Sequence, residues 1–336
     1  SRPPLLIDKS KIDNINVGNI NDNFDTVKEA DWIVEAVVER IDIKHQIFER
    51  VEKYRSPGSI VISNTSSIPI SLLAEGRSDD FKKHFCGTHF FNPPRYLRLL
   101  EIIPTSHTLP ELVDFFMHYG EINIGKQTVL CKDTPAFIAN RIGVMSGVKV
   151  FELTEKYDFT IEEVDLLTGP ILGRPRTGTY RLQDLVGIDT GDKVTNFVVQ
   201  NVKGDNFFEK LVDLPSPKFF TFLLENNFLG DKTAKGFYEK TNQKDENGRT
   251  IINALDLKTL TYRPSVRPKM GLIKEAKAIE KIDKRLQFLI SKKEKESQFL
   301  KEYFAAILAY SAQRVPEISD TCYQVDDAMS AGYVWD

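Results

Sequence analysis

The sequence predicts a two-part chain, a parallel α/β sheet domain followed by a mostly helical one, on three observations. Short apolar, β-branched runs alternate with amphipathic helix patterns from residue 31 to about residue 131. From Asp133 that alternation gives way to helical spacing. The 336 residues are 41% hydrophobic, enough for a large core, and no apolar run approaches the roughly 18 residues of a membrane span. At roughly 100–200 residues per domain, this length suits two or three domains.

Each element follows from its pattern. Residues 31–38 (DWIVEAVV) have the length and β-branched content of a strand. Ile43, Ile47, Val51 and Tyr54 recur at helical intervals and predict a helix over 42–55. Ser56-Pro57-Gly58 then breaks the chain, and Ser59–Ser63 (SIVIS) reads as a buried strand. Further strands are expected near 84–90 (HFCGTHF) and 98–103 (RLLEII), then a helix at 108–119 and a last strand within 122–131. Near-continuous apolar strands separated by helices are the mark of a parallel sheet covered on both faces. Residues 1–132 form this first domain.

Phe137, Ile138, Ile142, Met145 and Val148 open a long helix, and residues 133–240 read as a mostly helical second domain. Residues 241–296 read as a linker and helical excursion. TNQKDENGRT and RPSVRP have the composition of exposed chain. Leu272, Ala276, Ile279, Leu286 and Leu289 then recur at helical intervals in a Lys/Glu-rich stretch whose charges read as a solvated face. Residues 297–336 start another helical segment.

Charge and cysteine usage narrow the function. Forty-five Lys and Arg against 48 Asp and Glu leave −3, without the cationic excess that phosphate neutralisation requires, so nucleic acid is not an expected partner. Cys86, Cys131 and Cys322 are far apart and form no C-x-x-C pair, which suits a reducing cytoplasm. The N-terminal Ser-Arg-Pro-Pro lacks signal-peptide architecture.

Two glycine motifs are decided by context. Gly120-x-x-x-x-Gly125-Lys126 nearly matches a phosphate-cradling loop, but Gln127 replaces the magnesium-binding Ser or Thr, and a helix precedes it where a strand is needed. Gly120 reads instead as a helix C-cap. No G-x-G-x-x-G occurs, so a dinucleotide's pyrophosphate turn is expected upstream of Ser1, which would leave the strand at 31–38 as an open apolar edge. His84 and His89, five apart on one expected strand, point to opposite faces and share no metal; no metal site is expected.

Polar chemistry concentrates at strand ends. Ser63-Asn64-Thr65-Ser66-Ser67 follows SIVIS, where open parallel sheets bind ligands, although a helix N-cap explains it equally well. Gly87-Thr88-His89-Phe90-Phe91-Asn92-Pro93-Pro94 ends another strand. Leu99-Leu100-Glu101-Ile102-Ile103 holds a carboxylate in an apolar strand, and an isolated buried Glu costs several kcal/mol unless it finds a partner. A histidine oriented by a buried carboxylate makes a general base, so Ser66, His89 and Glu101 are the candidate constellation.

Taken together, VEAVVERIDIK (34–44), SNTSS (63–67), GTHFFNPP (87–94), LLEII (99–103), KDTPAFIANRIG (132–143) and DKTAKGFYEK (231–240) resemble the L-3-hydroxyacyl-CoA dehydrogenase family. The likeness is greatest to the long bacterial fatty-acid β-oxidation members, whose dehydrogenase part precedes an enoyl-CoA hydratase-like domain. GPILGRPRTGTYRLQDLVGID (169–189) and VPEISDTCYQVDDAMSAGYVWD (315–336) resemble that branch, in which the latter opens a second helical domain, here cut short. The resemblance implies a Rossmann-like sheet domain, incomplete at its N-terminus, and an all-α C-terminal domain of the 6-phosphogluconate-dehydrogenase-like kind.

It also implies NAD as cofactor, an acyl-CoA substrate and a homodimer through the helical domain. His89 would be the general base, Glu101 its orienting partner, Ser66 a donor at the reacting oxygen or nicotinamide, and Asn140 a substrate contact. Glu39, Lys44, Asn92 and Lys232 match NAD-contacting positions, with Lys44 also near coenzyme A. Two departures are Ala136, where the family has Gly and a mild packing change is expected, and Arg40, where it has Asn. Two other readings stay open: a dehydrogenase of small polyols or sugar acids, and a non-catalytic binding or dimerisation module. With the glycine turn absent from the chain, these residues alone are expected to turn over little substrate.

Overall fold

The computed structural model describes residues 8–335, which fall into two compact units. The first comprises residues up to Phe137 together with Glu317–Gly332, the second Ile138–Pro316 with the last residues.

In the first unit, strands β1 (Trp32–Glu35), β2 (Ile60–Ser63), β3 (Phe85–Phe90), β4 (Leu99–Pro104) and β5 (Gln127–Leu130) lie in that order in one sheet. Helix α1 (Ile41–Tyr54) joins β1 to β2, α2 (Ile70–Leu73) and α3 (Asp79–Lys83) join β2 to β3, and α4 (Pro110–Ile122) joins β4 to β5. The expected α/β class is present, with one refinement. β1, β2 and β3 are parallel and β4 and β5 are parallel, but β3 and β4 pair antiparallel as a hairpin.

β1 is shorter than its apolar run. The Glu35 carboxylate takes the Val37 N–H at 2.7 Å, so a side chain captures the amide that would have continued the ladder. α1 is where expected, but its buried stripe is Lys44, Phe48 and Val51, one residue round from the Ile43–Ile47 face. Phe48 packs edge-on to Phe81 and Phe85 on one side of the sheet. On the other side Cys86, Leu100 and Ile102 bury Leu112 and Phe116 of α4. Gly120 lies inside α4 rather than capping it, because a Cβ there would meet the Thr128 side chain at 2.4 Å. His84 is the C-cap of α3 and not part of β3.

In the second unit, α5 (Ala139–Tyr157) and α6 (Ile161–Thr168) are followed by α7 (Tyr180–Val186), α8 (Ile188–Asn201), α9 (Asn206–Glu209) and α10 (Lys218–Glu225). α6 starts on a reciprocal Thr160–Glu163 capping box. The expected linker is instead a three-stranded antiparallel sheet of β6 (Tyr238–Lys244), β7 (Thr250–Leu255) and β8 (Tyr262–Pro264). It is anchored by side chains: Arg263 grips Glu162 at 2.7 and 2.9 Å, and Asp184 accepts the Phe237 and Tyr238 amides. Asn247-Gly248, with Gly248 at φ 76°, is the hairpin signal hidden in the polar stretch.

Helices α11 (Gly271–Ala276), α12 (Ile282–Ser291) and α13 (Lys295–Arg314) complete the unit, and α13 packs along α5. Buried polar links tie them: Ser146 to Tyr303 at 2.7 Å, and Arg141 to both Tyr310 and Asp205 at 2.7 Å. The expected last segment, 297–336, is divided between the units. The part from Glu317, including most of α14 (Cys322–Tyr333), returns to the first. There Lys132 N–H donates to the Ile318 carbonyl at 3.1 Å and Gln324 to the Leu130 carbonyl at 2.9 Å.

Candidate active site

Strand register places the chemistry on one face of the first unit's sheet. Glu35 pairs with Ser63, and Ser63 with Gly87; two residues on, His89 pairs with Glu101, and Glu101 with Val129. Side chains two apart share a face, so Glu35, Ser63, His89 and Glu101 all project from the side opposite α4. Gly87 leaves room there: a Cβ would meet Ile70 Cδ1 at 2.6 Å.

His89 and Glu101 are direct cross-strand neighbours. Nδ1 of His89 lies 2.6 Å from Oε2 of Glu101, with both residues buried. A carboxylate only accepts, so Nδ1 carries the proton and Nε2 is the basic nitrogen. The rings of Phe91 and Phe137 stand 4.8 and 5.8 Å from the imidazole and give it an apolar surround. The structure thus brings these two expected site residues within hydrogen-bonding distance of each other.

A second cluster organises the loop after β2. Oε1 of Glu39 accepts from Thr65 Oγ1 at 2.6 Å, the Ser66 amide at 2.9 Å, the Ser67 amide at 3.1 Å and Ser67 Oγ at 3.0 Å. Burial pushes the Glu39 carboxyl up, but these bonds and the Lys44 charge outweigh it and hold it below the usual glutamate range. Lys44 is only 1% exposed; its Nζ lies 2.8 and 3.0 Å from the Glu35 oxygens and 3.3 Å from Glu39 Oε2. Its ammonium therefore faces two carboxylates rather than open solvent. Ser63 Oγ closes the cluster on Glu35 at 2.5 Å.

Asn64 joins the two clusters, its Oδ1 accepting the Phe90 amide at 3.0 Å, one residue beyond His89. Asp133 caps α2 through the Ile70 and Ser71 amides. Asn92 is exposed on the loop after β3. Asn140 and Lys232 belong to the second unit: Asn140 is half-buried in the first turn of α5, and Lys232 is ion-paired with Asp189.

Sequence reasoning missed Glu35, and it placed Ser63 and Asn64 in a polar strand end without giving either a role of its own. The signal for Glu35 was the same as for Glu101, a carboxylate inside an apolar strand. Arg40 is exposed and bonded to Asp42. Ala136 is more than a packing change, because it sits at φ 63° in the left-handed region that favours Gly. Among the described residues, no group of three His, Cys, Asp or Glu side chains is placed to hold a metal.

Comparison with known proteins places this arrangement. Residues 6–134 match the family model of the 3-hydroxyacyl-CoA dehydrogenase NAD binding domain, and residues 137–240 match that of the 3-hydroxyacyl-CoA dehydrogenase C-terminal domain. A probable 3-hydroxyacyl-CoA dehydrogenase from Deinococcus radiodurans is 43% identical over 249 residues, 74% of this chain and 70% of the relative. The chain belongs to the 3-hydroxyacyl-CoA dehydrogenase family.

A probable 3-hydroxyacyl-CoA dehydrogenase from Bacillus subtilis is 41% identical over all of this chain, which spans 41% of that relative's length. The 3-hydroxybutyryl-CoA dehydrogenase of Escherichia coli superposes with a TM-score of 0.64 at 18% identity, covering 93% of this chain and 73% of that one, a likeness of fold. In this family member the NAD-binding-domain match takes in the His89–Glu101 dyad and the Glu39 cluster, and the C-terminal-domain match takes in Asn140 and Lys232.

Proposed function

We propose that this chain carries the dehydrogenase site of an enzyme that oxidises L-3-hydroxyacyl-CoA to 3-ketoacyl-CoA with NAD, in fatty-acid β-oxidation. The buried 2.6 Å bond between His89 and Glu101 is the observation that carries the reading. Oxidation of a secondary alcohol needs its hydroxyl proton removed as C3 loses hydride, because a protonated ketone is a high-energy product. His89 Nε2 takes that proton. Glu101 holds the imidazole in the required tautomer and stabilises the imidazolium that forms.

The donor set beyond the strand ends suits NAD. The Ser66 side chain, the Glu39 carboxylate and the Asn92 amide match ribose hydroxyls and a carboxamide. When bound, NAD supplies the acceptor for the C3 hydride. Ser66 bonds the reacting oxygen or the nicotinamide end, Asn140 orients the thioester side of the substrate, and Lys232 contacts the cofactor. Lys44, with its ammonium enclosed, acts on both ligands through the carboxylates it holds. The assignment extends to a cytoplasmic protein and a homodimer formed through the helical domain.

NADH formation from L-3-hydroxybutyryl-CoA, by a protein in which a glycine-rich pyrophosphate turn precedes these residues, tests this. His89→Gln should lower kcat by about 10²–10⁴-fold with little change in KM. Unchanged kcat would return the chain to a non-catalytic module. Turnover of small polyols, indifferent to added coenzyme A, would transfer it to a different dehydrogenase class.

A further inference from the structure

We infer that Cys131 is a positioning residue for the dyad, its thiol donating to the Glu101 oxygen that His89 does not use. The functional meaning rests on the dehydrogenase reading; the hydrogen bond does not. β4 and β5 run parallel with Glu101 opposite Val129, and the Cys131 amide extends the ladder to the Ile102 carbonyl at 2.9 Å. Two residues beyond Val129, Cys131 shares the face of Glu101 and His89. Cys131, just past the end of β5, thus lies diagonally across from Glu101 on the face that Glu101 shares with His89. Cys131 Sγ lies 3.7 Å from Glu101 Oε1, while Glu101 Oε2 meets His89 Nδ1 at 2.6 Å.

The thiol has a competing acceptor, the Val129 carbonyl at 3.5 Å. A thiol is a weak donor, and a charged acceptor strengthens a hydrogen bond about twofold over a neutral one. Both residues are buried, so bulk water does not compete. A carboxylate held at both oxygens does not rotate Oε2 away from the imidazole. Cys131 is also nearly inaccessible to reagents, at 2% exposure, so its role is geometric and not redox.

Infrared spectroscopy of the S–H stretch reads the bond without any turnover. Subtracting Cys131→Ser from the unaltered protein isolates this band from those of Cys86 and Cys322. It should lie below the band of a thiol on a neutral acceptor and rise in Glu101→Gln. A band unmoved by Glu101→Gln would overturn the inference.

Should Glu101→Gln fail to fold, the downfield ring N–H proton of His89 serves in its place. It should shift in Cys131→Ala and return towards its original position in Cys131→Ser, which restores a donor. Equal shifts in both would mean only volume was lost and would overturn the inference. In turnover, Cys131→Ala should lower kcat about 3- to 10-fold at constant KM, with recovery in Cys131→Ser. A change confined to KM would count against it. Both spectroscopic signatures without oxidation of the CoA ester, by a protein in which a glycine-rich pyrophosphate turn precedes these residues, would refute the dehydrogenase reading and leave the hydrogen bond standing.

Discussion

Ala136 and Phe137 carry left-handed backbone at φ 63° and 52°, immediately before the long helix of the second unit. For an L-residue with a Cβ this region costs on the order of 1 kcal/mol, whereas glycine adopts it freely. Ala136→Gly should therefore raise stability by about 0.5 to 1 kcal/mol, after allowing for the greater freedom of glycine in the unfolded chain. Urea unfolding checks the sign, and a net loss would mean that burial of the Ala136 methyl outweighs the strain. Arg141 poses the opposite case. It is wholly buried, and Asp205 supplies the opposing charge at 2.7 Å. Asp205→Ala should cost about 3–5 kcal/mol, since it takes the opposing charge from a buried guanidinium. Asp205 also accepts the Phe207 amide at 2.9 Å, so the same change uncaps α9. A loss under 1 kcal/mol in thermal unfolding would show that the cation finds water.

Alternation and period made β1 to β5, α1 and α4 legible, because burial on both faces forces unbroken apolar runs. β6 to β8 were illegible for the same reason in reverse: β6 is exposed along most of its length and lies on the body through Arg263 and Asp184, so no hydrophobic pattern had to be written into it. The antiparallel turn from β3 to β4 left no trace in periodicity, since an apolar run does not record its direction.

The whole molecule couples its stability to pH through enclosed carboxyls. Burial pushes Asp165 up to about 7 and Asp184 to about 6 from 3.8, against the hydrogen bonds from Tyr238 and backbone amides that lower them. A raised acid keeps its proton in the folded state while the unfolded chain releases it. Stability is therefore fullest below about pH 4 for these two groups and declines as pH rises towards 7. Glu39, Glu162 and Asp205 are shifted down despite burial, and contribute stability that fades as pH falls below the ordinary carboxylate range. Thermal midpoints should thus decline between pH 5 and 7.5, with a shallower slope in Asp165→Asn. Equal slopes would exclude Asp165 as a titrating group in that window. The dyad was legible because an acid in an apolar strand demands a partner, and His89 stood among polar residues at the end of another expected strand. The Glu39 cluster was not, since its bonds link residues 26 to 28 apart whose meeting depends on a crossover.

Because the strand after His89 doubles straight back, base and carboxylate are only twelve residues apart along the chain. Closing so short a loop costs little entropy, and each doubling of its length would add only about 0.6 kcal/mol. The proton-handling pair is thus a product of local chain reversal, whereas the Glu39 cluster must wait for a helix to cross over the sheet. Insertions or permutations between other elements would disturb the second long before they separated the first.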